Sequence, residues 1–375
     1  MKVSPKSEER LEKVEIERSA AIVGAHWRAG TMQGRDSNSA DTHPKLLLRP
    51  VRLRSESGSS FNLSESIPAF GLGETFRVTC RLRGNRTLFS LRNQIALVTG
   101  GGTGIGLMIA HGLAANGAKV YITGRRMEVL RSVSGPYGRM GGEIVPLQMD
   151  VTSKPSILTS VSHIESTDSK LHILINNAGQ SGPLDPFIPT RTLHPSASSF
   201  GSSLFASSSP QDWGAHFEVN VASAYFVSTA FLGLLEKGAK DLGSGKTGVI
   251  VNVTSVSGIM KLAQDHFCYN TAKAGLSHLT RLLSTELALR DIPIRVNAVA
   301  PGPWRSEMSG DLPLDDAEAA DALSKPLISP PAGRGGTEQE MAATVLYIVS
   351  QGGAYMNGQE IVIDGGYLAV NPSTR

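Results

Sequence analysis

The chain has 375 residues, 18% of them charged, and a formal net charge of +3. A single α/β domain can reach about 250 residues, so the chain is longer than one such domain requires. Its two cysteines, Cys80 and Cys268, lie far apart without metal-ligand spacing, which argues against a disulfide framework and a zinc site and favours a reducing compartment. The excess of positive charge comes from residues 1–90, which hold 15 Lys and Arg against 10 Asp and Glu. It therefore gives no reason to expect that the rest of the chain binds nucleic acid.

Residues 1–87 are predicted to form a disordered extension, because they are rich in Ser, Gly and Arg and show no sustained periodicity beyond a short helix around residues 8–18. An organelle-targeting presequence is the alternative, but a cluster of acidic residues argues against it, and a partner-binding arm is a further alternative. No apolar run reaches the roughly 18 residues of a membrane-spanning helix, and the start lacks the apolar core of a secretory signal. A soluble cytoplasmic protein is therefore expected. The acidic cluster is Glu8, Glu9, Glu12, Glu15 and Glu17.

A glycine-rich turn follows the first predicted strand of the remainder. The apolar run from Ile95 to Thr99 leads into a segment with glycines at 100, 101, 102, 104 and 106, and then into a helix-like stretch. Glycines let the backbone approach a pyrophosphate closely, and the free N–H groups at the helix start attract its negative charge. The pattern predicts a dinucleotide site, with a purely structural tight turn as the alternative.

Three polar side chains are predicted to converge further along the chain. If residues 247–273 form a strand, a loop and a helix, Ser255 lies at the strand end while Tyr269 and Lys273 lie one turn apart on one helical face. A neighbouring ammonium favours the phenolate and lowers the pKa of the tyrosine, which would make it a usable acid or base toward a carbonyl or carbinol oxygen. An exposed polar helix face is the alternative interpretation.

Together these motifs resemble the short-chain dehydrogenase/reductase family. Further matches are Asn176 to Gly179 after a strand, Pro301-Gly302, and Asp364-Gly365-Gly366, and the resemblance runs from about residue 88 to residue 368. It implies an α/β fold, with one Rossmann-type doubly wound parallel sheet of about seven strands and helices on both faces, over residues 88–375. The seven strands are predicted at 95–99, 119–123, 143–149, 171–175, 247–253, 294–299 and 359–364.

The resemblance assigns roles to the converging residues. Ser255, the second of the pair Thr254-Ser255, would orient the substrate oxygen, Tyr269 would exchange the proton, and Lys273 would lower the phenol pKa and hold the ribose. Asn220 would bend its helix and extend a proton relay beside the lysine, with a buried structural Asn as the alternative. The 14-residue separation of Ser255 from Tyr269 is one longer than the commonest family spacing, so a bulged loop is expected.

The residues after the second predicted strand favour NADP(H). Gly124 stands where an acidic residue would bind the ribose 2′-hydroxyl, and Arg125 and Arg126 suit a 2′-phosphate, with surface arginines as the alternative. The resemblance adds Asp150 and Val151 at the adenine ring. The predicted cofactor-binding residues are Gly100, Thr103, Gly104, Ile105, Gly106, Arg125, Arg126, Asp150, Val151, Asn177, Ala178, Gly179, Tyr269, Lys273, Pro301, Gly302 and Ser306.

Two segments are predicted to be irregular. Residues 180–211 are rich in Ser, Pro and Gly, and we expect an expanded loop that either shapes the substrate entrance or is a surface insertion. Residues 305–330 stand where the family keeps its substrate lid. Ser306 replaces a common family threonine that contacts the nicotinamide carboxamide, and Trp304 and Met308 are candidates for an apolar pocket.

The predicted function is reduction of a carbonyl by NADPH, with 3-oxoacyl-acyl-carrier-protein reductase-like members as the nearest resemblance. Alternatives are an alcohol, sugar or steroid dehydrogenase, a reductase tailoring a secondary metabolite, and a non-catalytic NADP-binding regulator. The family implies a homodimer or homotetramer with a small-molecule carbonyl or alcohol substrate. An apolar helical stripe would form the subunit contact, with an intrachain core as the alternative. It consists of Leu276, Leu279, Leu283 and Leu287.

Overall fold

A computed structural model of the chain describes residues 53–54, 60–61, 88–185, 196–304 and 328–371. The chain divides into two compact units, Met1–Leu82 and Arg83–Arg375. In the first unit, Leu53–Arg54 pairs antiparallel with Ser60–Phe61. The other predictions for residues 1–87, and those for residues 305–327, lie outside the described residues.

Eight strands of the described second unit form one sheet, in the order β8-β7-β6-β5-β1-β2-β4-β3. Seven of them pair in parallel, which confirms the predicted doubly wound α/β sheet. The eighth is a three-residue edge strand that pairs antiparallel and was not predicted, because its Gly-Pro-Tyr sequence lacks strand composition. The strands are β1 Ile95–Thr99, β2 Lys119–Gly124, β3 Gly135–Tyr137, β4 Gly142–Gln148, β5 Ile173–Asn176, β6 Gly248–Val253, β7 Ile294–Pro301 and β8 Glu360–Ile363.

The strand order reverses at β1, which has β2 on one side and β5 on the other. In an open parallel sheet, the loops that leave two such neighbouring strands run to opposite faces and open a crevice at their carboxyl ends. β1, β5 and β6 are buried along their whole length, as expected for strands covered on both faces. The topology therefore places the glycine turn after β1 and the Asn-Asn-Ala-Gly segment after β5 at one edge of the sheet.

Helices cover both faces of this sheet and divide the core in two. On one face, buried side chains of α1 and α8 pack over the central strands. On the other, buried side chains of α3, α6 and α7 do so. The helices are α1 Gly104–Ala115, α2 Met127–Ser132, α3 Lys154–Asp168, α4 Ala197–Ser207, α5 Pro210–Phe217, α6 Ser223–Leu242, α7 Phe267–Ala288, α8 Glu338–Val349 and α9 Tyr367–Val370, with a π-helical turn at Glu218–Ala222 between α5 and α6.

Part of the apolar stripe of α7 contributes to the intrachain core. Leu276 and Leu287 are buried within the single chain, and the partly buried Leu283 packs against the cluster beneath the sheet. Leu279 and Leu283 are only partly buried, so the subunit contact stays a prediction. The exposed large apolar residues on the same helix are Phe267 and Leu282, and Leu289 follows just after its end.

The prediction of a patternless loop over residues 180–211 is wrong for its second half. Helix α4 occupies Ala197–Ser207, and α5 starts at Pro210. Ser196 and Ser209 cap these helices, because their hydroxyls accept hydrogen bonds from the N–H groups of Ser199 and Asp212. None of the described residues of α4 is buried, so the helix lies outside the core, and its high serine content favoured the interpretation as a loop.

The helical run Pro210–Leu242 is long and apolar enough to cross a membrane by length and composition, and 44% of its most apolar window is buried. Its apolar side faces the sheet, where Val227, Phe231 and Leu235 are among the buried core residues. Core helices of sheet proteins pass the same length and composition test. The packing of this helix against the strands accounts for its apolar character.

A matched pair of phenylalanines tests this assignment of the core. Phe231 is 0% exposed and Phe205, on α4, is 90% exposed. Phe231→Ala leaves a cavity and should lower the free energy of unfolding by about 3–5 kcal/mol, whereas Phe205→Ala should change it by less than about 0.5 kcal/mol. Urea unfolding of both variants measures the difference. Equal losses would contradict the described packing.

Candidate active site

A cavity of about 750 Å³ lies at the carboxyl ends of the parallel strands. Its volume lies in the range of small-molecule and cofactor sites. The predicted cofactor residues that the structure describes line it, with the exception of Gly106, while Ser306 lies outside the described residues. Those lining it are Gly100, Thr103, Gly104, Ile105, Arg125, Arg126, Asp150, Val151, Asn177, Ala178, Gly179, Tyr269, Lys273, Pro301 and Gly302.

Gly106 acts behind the glycine turn rather than in the cavity. A Cβ atom at this position would lie 2.3 Å from the carbonyl oxygen of Gly100 and 2.4 Å from the side-chain nitrogen of Asn177. The missing side chain lets the first turn of α1 pack directly on the loop. The described contacts thus give Gly106 a packing role, and its contact with the cofactor stays a prediction. Gly100 and Gly104 adopt the left-handed φ values of 62° and 51° that favour glycine.

Thr99, at the end of β1, joins the two loops that form the floor of the cavity. Its hydroxyl oxygen accepts hydrogen bonds from the backbone N–H groups of Asn177 and Ala178, each at 3.0 Å. The Asn177 amide in turn donates to the carbonyl oxygens of Thr99 and Gly100, also at 3.0 Å. The threonine is 2% exposed, so its hydroxyl satisfies backbone groups that have little access to water. The glycine turn is thus fixed to the loop after β5.

Arg125 and Arg126 directly follow β2 and are exposed at the end of the cavity that β2 and β4 form. Asp150, after β4, accepts hydrogen bonds from the backbone N–H of Thr152 at 3.0 Å and from its hydroxyl at 2.8 Å. These bonds, and more weakly the Arg125 charge, lower the pKa of Asp150. The predicted adenosine end of the site is therefore cationic at its rim, with an ionised carboxylate that shapes the turn.

Ser255, Tyr269 and Lys273 meet in the cavity as the spacing predicts. Ser255 follows β6 and lines the cavity with Tyr269, and its hydroxyl accepts a hydrogen bond from the backbone N–H of Ser257 at 3.1 Å. Lys273, which is 4% exposed, donates from Nζ to the carbonyl oxygen of Val253 at 2.9 Å, and Nζ lies 5.7 Å from the centre of the Tyr269 ring. A strand end and one helical turn thus bring a hydroxyl, a phenol and an ammonium together.

The electrostatics of this group differ from the expectation that Lys273 lowers the phenol pKa. Burial raises the pKa of Tyr269, and the hydrogen bond from Ser255 lowers it by a smaller amount. The ammonium bonds to the Val253 carbonyl instead of the phenol, and burial lowers the pKa of Lys273 to about 8. In this arrangement the phenol keeps its proton at neutral pH, which suits a proton donor.

Asn220 lies in the π-helical turn between α5 and α6, where its helix departs from regular α-helical geometry. Its side-chain oxygen accepts from the backbone N–H of Gln180 at 3.3 Å, and its nitrogen donates to the Gln180 carbonyl at 3.2 Å. A Cβ atom on Gly179 would lie 2.8 Å from the Asn220 oxygen and 3.6 Å from Lys273 Nζ. Asn220 and Lys273 therefore flank the same glycine of the cavity wall.

His216 was not singled out from the sequence, although it precedes Asn220 by one helical turn. It is 1% exposed, and its ring nitrogens lie 3.2 and 3.3 Å from the Asn220 side-chain nitrogen. Its ring lies 6.0 Å from the Tyr269 ring, centre to centre. Burial lowers the pKa of His216, and the Lys273 charge lowers it further. A neutral imidazole therefore lies beside the Tyr269 phenol.

A buried carboxylate also connects the elements that carry the site. Glu360 on β8 has a 4% exposed side chain that accepts hydrogen bonds from the hydroxyls of Thr254, at 2.8 Å, and Ser277. Arg281, one turn beyond Ser277 on α7, lies 3.4 Å from its other oxygen. Glu360 thus connects Thr254, at the strand end, to α7, while the neighbouring Ser255 lines the cavity with Tyr269. No local sequence pattern identifies Glu360 as part of the site, because its hydrogen-bond partners lie far away in sequence.

The bulged loop expected between Ser255 and Tyr269 is present. Gln264 and Asp265 adopt left-handed φ values of 51° and 64° in succession. For residues other than glycine, each such conformation costs on the order of 1–3 kcal/mol and persists only where surrounding contacts enforce it. Here the Asp185 N–H donates to the Asp265 carbonyl at 2.7 Å, and the Asn270 amide donates to the carbonyls of Leu262 and Ala263.

Comparison with known proteins agrees with this geometry. Residues 94–317 match the family described as short chain dehydrogenase. The chain belongs to this family. As a member, it is an oxidoreductase that acts on alcohol and carbonyl groups. It is 38% identical to the short-chain dehydrogenase/reductase PhomF of Diaporthe leptostromiformis, over 76% of this chain and 95% of the relative.

A sequence match and a structural match further connect the chain to Pseudomonas aeruginosa. The chain is 32% identical to a rhamnolipid-biosynthesis 3-oxoacyl-acyl-carrier-protein reductase, over 74% of this chain and 98% of the relative. It also resembles the solved RhlG/NADP active-site complex, with a TM-score of 0.61 and 31% identity over 75% of this chain and 98% of that one. These matches cover nearly the full length of the relatives, so the whole described sheet is the shared domain.

Replacement of Thr99 tests the connection between the two cavity loops. Thr99→Val keeps the shape of the side chain but leaves the N–H groups of Asn177 and Ala178 without their acceptor, so it should lower the free energy of unfolding by about 1–3 kcal/mol. It should also weaken dinucleotide binding, because the glycine turn loses its support. Thr99→Ser retains the oxygen and is the control. A valine variant as stable as the serine variant would contradict the assigned role.

Proposed function

We propose that this dehydrogenase reduces a ketone to a secondary alcohol with NADPH as the hydride donor. The observation that carries the proposal is the convergence of Ser255, Tyr269 and Lys273 in the same cavity as the glycine turn. When bound, NADPH supplies the hydride that the carbonyl carbon accepts. The protein supplies the proton, the orientation of the substrate and the charge around its oxygen.

Each of the three residues has a distinct part in proton transfer. Tyr269 donates its phenolic proton to the carbonyl oxygen, and its raised pKa keeps that proton in place at neutral pH. Ser255 donates a hydrogen bond that orients the oxygen and polarises the carbonyl. The Lys273 ammonium stabilises the tyrosinate after transfer and holds the ribose, while Asn220 extends the relay toward solvent. These roles follow the family pattern and fit the described distances.

The choice of NADP(H) over NAD(H) rests on the end of β2. Gly124 cannot bind a ribose 2′-hydroxyl as a carboxylate would, and Arg125 and Arg126 place two guanidinium groups at the cavity rim. A guanidinium recognises a phosphate by charge-assisted hydrogen bonds. The solved relative from Pseudomonas aeruginosa is an NADP complex, which supports the same cofactor here.

A 3-oxoacyl thioester is the substrate class that we favour, in line with the named reductase among the relatives. Trp304, which is 6% exposed, lines the cavity and gives it an apolar wall, whereas Met308 lies outside the described residues. An alcohol or sugar dehydrogenase, or a reductase that tailors a secondary metabolite, is the second candidate. A gluconate 5-dehydrogenase and a cyclopentanol dehydrogenase are also among the relatives.

We further propose a cytoplasmic homodimer or homotetramer. The contact would use α6 and α7, which expose Tyr225 and Leu282 on their outer faces while their inner faces fill the core. These apolar groups are the part of the helices that a second subunit would cover.

A tyrosine variant tests catalysis against a purely regulatory role. Tyr269→Phe removes the proton donor and should lower turnover of a ketone by about 10²–10⁴-fold, with NADPH binding, followed by its fluorescence, largely kept. Tyr347→Phe, at an exposed tyrosine outside the cavity, is the control and should retain full turnover. If the Tyr269→Phe variant loses turnover but still performs the function of the protein in the cell, the non-catalytic regulator becomes the better hypothesis.

Replacement of Arg125 tests whether the arginines after β2 select NADPH over NADH. Arg125→Ala should lower kcat/KM for NADPH by roughly 10-fold or more, because it removes a charged hydrogen bond to the 2′-phosphate, and should leave kcat/KM for NADH nearly unchanged. The exposed Arg139, outside the cavity, provides a matched Arg139→Ala control. A wild-type preference for NADH would overturn the assignment of both arginines.

A further inference from the structure

The strained loop before the catalytic helix directs one polar side chain into the cavity. Gln264 is the first of the two successive left-handed residues, and its side chain lines the cavity together with Ser255 and Tyr269. Backbone strain that the surrounding contacts enforce is typical of functional positions. The loop is one residue longer than the commonest family spacing, and the left-handed pair turns the chain at this point.

The Gln264 amide is held in a defined orientation. Its nitrogen donates to the hydroxyl of Tyr367 at 2.8 Å, and Tyr367, at the start of α9, also lines the cavity. An amide has two N–H donors and a carbonyl acceptor, so one bond to Tyr367 leaves capacity for a bound molecule. Val256, which packs in one buried apolar cluster with Tyr367, also lines the cavity. A fixed amide beside apolar groups is suited to select one polar atom of a substrate.

We infer that Gln264 is a specificity-determining residue that binds a second oxygen of the substrate, near the carbonyl that Ser255 and Tyr269 hold. This inference rests on the proposed ketone reduction and narrows its substrate class to 1,3-dicarbonyl compounds such as 3-oxoacyl thioesters. The Gln264 N–H donates to the thioester carbonyl, two carbons from the reacting ketone. A substrate without that oxygen leaves the amide unpaired when water is displaced, so the enzyme binds it less well.

A matched pair of substrates measures this selection. One is the acetoacetyl thioester of N-acetylcysteamine, and the other is the 3-oxobutyl thioether of the same thiol, which has CH₂ in place of the thioester carbonyl. NADPH oxidation by the full chain gives kcat/KM for each. Gln264→Leu should lower kcat/KM for the thioester about tenfold or more and change that for the thioether less than about threefold. Gln359→Leu, at an exposed glutamine outside the cavity, should change neither.

A second variant tests the role of the Gln264 amide without a substitution in the strained loop. Tyr367→Phe leaves Gln264 in place and removes the hydroxyl that orients its amide, so it should lower kcat/KM for the thioester by a smaller factor and spare the thioether. Thermal unfolding of each variant identifies a general loss of structure. If Gln264→Leu does not fold, the substrate ratio of the tyrosine variant decides.

The outcomes separate this inference from the proposed function. A thioester-to-thioether ratio that falls in the Gln264 and Tyr367 variants supports it. Equal losses on both substrates, or an unchanged ratio, would overturn the role of Gln264 while ketone reduction stands. A wild-type protein that reduces neither ketone with NADPH would overturn the proposed function, and this inference with it.

Discussion

The burial of the Lys273 ammonium is the constraint on which the site depends. A charge that is 4% exposed needs a strong hydrogen-bond acceptor, and the carbonyl of Val253 at the end of β6 provides one at 2.9 Å. The bond fixes α7 to the strand end, and the same helical turn carries Tyr269 to Ser255. The arrangement keeps the phenol protonated and half-buried beside a cation that can stabilise its conjugate base.

Further contacts hold each half of the cavity together. Thr99 fastens the glycine turn to the loop after β5, and the missing side chain of Gly106 lets α1 approach that turn. Glu360 joins Thr254 and Ser277, so it connects the strand end to α7. The sheet thus acts as a rigid frame in which functional side chains come from loops and helix starts at the strand ends.

Much of this frame could be predicted because it depends on local patterns. Apolar runs mark β1 and β5, glycines mark the turn, and the 14-residue spacing indicated the bulge before α7. Contacts between distant residues could not be predicted in this way. Glu360 binds a hydroxyl 106 residues away, and the serine-rich α4 has no buried residue. The sequence predicts a lowered phenol pKa, from the neighbouring lysine. The pKa is raised instead, because burial of the phenol outweighs the effect of Ser255, and burial depends on tertiary packing.

The most direct test of the central claim is a crystal structure of the full chain with NADP⁺. The account predicts the pyrophosphate over the glycine turn, the 2′-phosphate at Arg125, and the reactive nicotinamide carbon within about 4 Å of the position that a carbonyl held by Ser255 and Tyr269 would occupy. Lys273 should lie against the nicotinamide ribose. A nicotinamide bound outside this cavity, or a Tyr269 hydroxyl turned away from it, would contradict the account.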